Sequence, residues 1–210
     1  MRSFYHDIKG NYREGNIVIF LECCVDNYIQ IIENKSELEK VFGREDLWIV
    51  EDGKSFLNPD IDTDRVSKLT KNNHKLVIQS IITLTTFIES FINEIGMVEL
   101  GSKYYKDNLD TLSIISKWEI VLRIIYGKSL NKGLKYYENI KNLISARNSL
   151  VHYKSKIADI NNLAPLDYYE KILIDSVSSL PLLFEDFEEL NKTKNLISTI
   201  EIKSQFSRIK

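Results

Sequence analysis

Cysteine is almost missing from this chain: Cys23 and Cys24 are adjacent, and there is no third. That excludes a disulfide framework and a thiolate zinc site, and leaves the pair as small core residues of a helix. Proline (three) and glycine (eight) are scarce in 210 residues, while Ile, Leu, Lys, Asn and Glu abound, which favours helices. The sequence has no Gly-rich phosphate loop, no His-x-x-x-His pair and no nucleophile elbow. Asp60, Asp62 and Asp64 alternate like the start of a calcium loop, but Gly is lacking at the sixth place and Glu at the twelfth. They read as a solvated acidic loop. Residues 1–10 hold no apolar core of signal-peptide length and residues 17–21 are too short to span a membrane, so a cytosolic protein is expected. Internal repeats and low-complexity tracts are lacking as well.

Forty-three per cent hydrophobic content is ample for a packed core, and the length suits one domain with an extension, or two small ones. The expected architecture is all-α, an up-and-down helical bundle with an N-terminal helical extension and one short hairpin. Ile17, Leu21, Cys24 or Val25, Tyr28 and Ile32 predict a helix over 16–34, and Ser36 with Glu39 is spaced as the capping box of a second short one. An apolar run over 47–50, Asp52-Gly53 and residues 55–57 predict the hairpin. Residues 58–73, polar and containing Pro59, read as a linker, giving an extension over 1–72, a helical domain over 73–192 and a tail over 193–210. Asn73 can cap a helix with the apolar stripe Val77, Ile81, Leu84, Ile88, Phe91 and Ile95, broken by Gly96 and Gly101. Another helix is expected over 110–126. A third carries the stripe Tyr137, Ile140, Ile144, Arg147 and Val151, and a fourth starts at Asp167 and is kinked or restarted at Pro181. The tail reads as a weakly held helix or as disordered.

Within the third of these helices stand Arg147, Asn148 and His152, a cation, an amide and an imidazole in an otherwise apolar, helix-periodic segment. A fully buried unpaired guanidinium is costly, so Arg147 must meet a carboxylate or open onto a cleft that receives an anion. Asn148 and His152, four apart, stack on one face, where the amide can orient the ring. Glu89 lies beside the stripe of the 74–95 helix, placed either to orient Arg147 or His152 or to face solvent. His74 and His6 read as bystanders. Between residues 127 and 158 seven cations meet one acid, a local charge of +6, whereas residues 170–190 carry −5. The basic stretch suits a phosphate backbone, or pairs with the acidic one within the chain or across a dimer. Tyr136, Tyr137 and Tyr153 are core and interface material, or close enough to that stretch to stack on bases.

An Arg-Asn-x-x-x-His run ending an amphipathic helix resembles the signature of the HEPN superfamily, small α-helical domains of which many are metal-independent endoribonucleases. The likeness extends over roughly residues 74–190 and includes the helices around Glu89 and Trp118. Some members carry a Tyr two residues after the His; here Tyr153 follows directly and Lys154 takes that place, so regulation through that tyrosine is not carried over. The resemblance implies an RNA-cleaving site of Arg147, Asn148 and His152, supported by Glu89 and Tyr153, with Lys141, Lys154 and Lys156 on the RNA. It also implies a homodimer with a composite site, no cofactor or metal, and a toxin or antiviral role with an antitoxin or regulatory partner. Two other readings stand beside it. One is a HEPN-like module that binds a nucleotide or a protein and cuts nothing; the other is a plain scaffold in which Arg147 pairs with Glu89.

Overall fold

A computed structural model describes residues 4–6, 12–14, 17–151, 166–192 and 199–209; residues 4–6, 12–14, 166 and 200 are described by backbone alone. It is a mostly helical bundle: α1 (Ile17–Phe42), α2 (Thr63–Leu100), α3 (Ser102–Asn108), α4 (Ile114–Tyr126), α5 (Lys135–Val151), α6 (Leu166–Asn191) and α7 (Ile200–Phe206). Two antiparallel hairpins complete the described residues, β1 (Phe4–His6) with β2 (Tyr12–Glu14) and β3 (Trp48–Glu51) with β4 (Lys54–Leu57).

The bundle is built on α2, whose 38 residues span about 57 Å at 1.5 Å per residue. All six residues of its expected stripe, Val77 to Ile95, are buried. By length and composition α2 could cross a membrane, yet its apolar side is turned into the bundle. Phe91 is the centre of an aromatic cluster, with ring centroids 5.0 Å from Phe184, 5.1 Å from Phe187 and 5.8 Å from Trp118. The Trp118 indole donates to the Ile88 carbonyl at 3.1 Å, which satisfies its one polar atom inside the core.

Several expectations are corrected. The 58–73 linker is helical from Thr63, because Asp62 caps the first turn through its side chain, accepting from the Arg65 amide at 2.8 Å. Val66, Leu69, Asn73 and Leu76 form a stripe that joins the core face, while Asp64, Lys68 and Lys71 stay outside. The boundary expected at 72/73 therefore falls inside a helix. Asn73 caps nothing and instead accepts from the Asn34 amide at 2.8 Å. That contact lies where α1 was expected to end; α1 is one 26-residue helix with no break at Ser36. Gly96 does not break α2. A Cβ there would stand 2.3 Å from a Tyr105 ring carbon, so the missing side chain is needed for packing, and the stop is Gly101 at φ 85°.

The 3–4 hairpin forms as expected, with Asp52 (φ 50°) and Gly53 (φ 73°) both left-handed in its turn. The 1–2 hairpin was not anticipated, although its strands carry Phe4, Tyr5 and Tyr12, residues that favour strand. Helix α6 passes through Pro181 without restarting, because Leu180, Leu183, Phe184 and Phe187 bury both halves against the same core. The described part of the tail is docked: Ile202 and Phe206 of α7 are buried, the latter ring 5.6 Å from Phe184. Of the two cysteines only Cys24 is core, its thiol pushed up to about 12 by burial and then by Cys23, which is exposed.

Candidate functional site

The helix that carries the motif is anchored to α4 and α6. Tyr136, at its first turn, is fully buried, and its hydroxyl donates to Asp186 of α6 and accepts from the Asn131 amide at 3.1 Å. Tyr137 donates to Glu119 of α4, which also takes Lys132 at 2.7 Å. Lys132, then the Tyr137 hydroxyl, hold the Glu119 carboxyl below its usual range, while burial, then Glu119, raise Tyr137 to about 12. Mid-helix, the buried Asn139 donates to the Asp175 carbonyl at 3.0 Å and to Ser179 Oγ at 2.7 Å, fixing α5 on α6. The core reading of Tyr136 is thus the one realised, and its ring is not open to a base.

The deepest side of α5 is Tyr136, Asn139, Ile140, Leu143 and Ala146. The stripe expected through Tyr137, Ile144 and Val151 flanks that side, and Val151 is half exposed. Arg147 lies one turn beyond Leu143, about 40° round from it, hence on the inner side near the helix end. It is half-buried, and its Nη1 donates to Asn148 Oδ1 at 3.1 Å. No ion pair to Arg147 is formed among the described residues. Glu89, the acid the sequence offered it, is instead paired with Lys117 of α4 at 3.1 Å. The Lys117 side chain is 3% exposed and that of Glu89 33%, so this is a cation sunk in the core with its acid at the rim. His152, Tyr153, Lys154 and Lys156 lie outside the described residues.

Asn148 is exposed and, besides accepting from Arg147, lines an open groove of about 500 Å³ between α5 and the start of α4. From α5 the groove is lined by Lys141, Ile144, Ser145, Asn148 and Ser149; from the other wall by Ser113 and Ile115. The structure thus brings Arg147 and Asn148 together, puts Lys141 on the same groove as Asn148, and pairs Glu89 with Lys117.

Comparison of the chain with family models, with curated proteins and with solved structures finds no match.

The charge pattern resolves in part. Four acids of α6 are paired, with Lys35 (Glu170), Lys171 (Asp175), Lys192 (Glu189) and Lys203 (Glu188), and no ion pair joins α6 to the basic stretch among the described residues. Within that stretch Lys132 goes to Glu119 and Lys141 to Glu138. Among the described residues no three His, Cys, Asp or Glu side chains converge as metal ligands.

Lys117 and the groove serines were missed in the sequence. The signal for Lys117 was its place in a helix apolar on nearly every side, where a cation requires an acid. The signal for the groove was the polar spacing Lys141, Ser145, Asn148 and Ser149, one face of a helix.

Proposed function

We propose that the chain is a metal-independent endoribonuclease of the HEPN type, cytosolic and acting as a homodimer. The observation that carries this reading is the half-buried Arg147, whose partner among the described residues is a neutral amide while Glu89, the acid expected from the sequence, is taken by Lys117. A guanidinium with no carboxylate partner among the described residues keeps its donors free and its charge uncompensated for an incoming phosphate, which it can grip with two parallel donors.

RNA carries its own nucleophile. The 2′-hydroxyl attacks the adjacent phosphorus as its proton is removed; the bond to the 5′-oxygen breaks as that oxygen is protonated. The products are a 2′,3′-cyclic phosphate and a 5′-hydroxyl. In this proposal His152 moves a proton, its ordinary pKa lying near neutrality. Arg147 stabilises the charge on the phosphate oxygens, and Asn148 positions Arg147 and the phosphate. Lys141, Lys154 and Lys156 hold the flanking backbone, and Tyr153 supports the motif. Two proton transfers profit from two imidazoles, which a two-fold pairing of motifs supplies. A toxin or antiviral role, restrained by an antitoxin or regulatory partner, follows from the resemblance.

Expression in a bacterial host tests this reading. The parent should arrest growth, and Arg147→Ala or His152→Ala should each relieve the arrest while accumulating as folded protein. Mutants that stay as toxic as the parent overturn it.

One observation favours a second reading, a module that binds a protein and cuts nothing. The 3–4 hairpin exposes Trp48 (58%), Val50 (68%) and Phe56 (50%), an apolar surface of the kind that marks partner contacts. In that case RNA ends stay unchanged in cells that express the parent.

A further inference from the structure

We propose that the groove between α4 and α5 is a subsite for one unstacked nucleotide of single-stranded RNA, next to the phosphate gripped by Arg147; this rests on the nuclease reading above. Three observations carry it. The groove's volume of about 500 Å³ falls within the ~300–1,000 Å³ of ligand clefts. Its walls are of two kinds. Ile115 and Ile144, both half-buried, offer apolar faces to a base, and Ser145 and Ser149 offer small hydroxyls at the rim. Finally, Asn148 belongs both to the groove and, through its bond to the Arg147 guanidinium, to the motif, so a strand crossing one meets the other.

Charge and shape agree on the class of ligand. Lys141 stands at the groove and is half exposed, and its bond to Glu138 is an exposed pair of little worth in water. A phosphate can take it over. A base reaches apolar walls on a helix face only when it is splayed from its neighbours, which selects single strands over duplex.

Binding and cleavage by the full chain, measured separately, test the proposal. The binding probe is a short fluorescein-labelled, mixed-sequence 2′-O-methyl RNA, which lacks the nucleophile and cannot be cut. Ser145 is exposed, so Ser145→Glu leaves melting unchanged and sets a negative charge against the strand, weakening binding about tenfold. Ser145→Ala, which removes one hydroxyl and adds no charge, weakens binding less than Ser145→Glu does. Lys141→Ala flattens the slope of log affinity against log salt by about 0.7, the share of one phosphate contact on a single strand. If the parent binds and cuts while Ser145→Glu binds equally well, the subsite is rejected and the nuclease reading stands. If the parent neither binds the probe nor cuts unmodified RNA, the nuclease reading falls and takes the subsite with it.

Discussion

Glu89→Gln removes one negative charge from the rim of the core and keeps the side chain's shape, leaving Lys117 charged with a neutral amide as its partner. The Lys117 side chain is 3% exposed, so its ammonium cannot turn to water without opening the contact between α2 and α4. Breaking a fully buried pair costs about 3–5 kcal/mol; because a third of Glu89 is exposed, we expect about 2–3 kcal/mol here. In a domain of this size that lowers the melting temperature by about 5–10 °C. Urea unfolding of the parent, Glu89→Gln, Lys117→Met and the double variant gives the coupling directly. The double variant should recover most of the loss, since Met fills the volume of the lysine stem and no charge is left buried. A Glu89→Gln protein within about 0.5 kcal/mol of the parent would refute the reasoning. Loss of RNA cleavage without loss of stability would restore to Glu89 the supporting role expected from the sequence.

Two further outcomes follow from the packing. Gly96→Ala improves helix propensity by about 1 kcal/mol, yet should destabilise by about 1–3 kcal/mol because the new methyl meets the Tyr105 ring at 2.3 Å. Adding Tyr105→Ala should remove that penalty in thermal unfolding, although the ring's own burial is then lost. Glu119 is held below the ordinary 4.5 by Lys132 and Tyr137, so its folded pKa lies under its unfolded one. Its contribution is complete above that ordinary value and is lost as pH falls through the folded one. As pH falls from neutral to below that ordinary value, the urea midpoint of Glu119→Gln should therefore drop less than that of the parent.

The sequence made the centre of the fold legible and its margins less so. Along Val77 to Ile95 the spacing of apolar residues alone marks the buried face, and Asp52-Gly53 marks the turn. The reading failed where polar residues sit on helices that are half in solvent. Residues 63–73 look like a linker because most of that helix is polar and exposed, and only the sparse Val66 and Leu69, with Asn73, mark the side that meets the core. Gly96 reads as a breaker until Tyr105, nine residues on, is seen lying across it. At the site, adjacency placed Arg147 and Asn148 together, a local matter. Which base met Glu89 was decided by the packing of α4 on α2, a long-range matter that helix periodicity does not carry.

The central claim is that Arg147 is held for a phosphate and not for a protein acid. The most direct test incubates purified parent and Arg147→Ala with RNA in EDTA and maps the new ends. We predict 2′,3′-cyclic phosphate and 5′-hydroxyl ends from the parent and none from Arg147→Ala, whose melting temperature stays close to the parent's because no acid among the described residues loses its partner. Equal cleavage by both proteins, or cleavage by neither, would contradict the account.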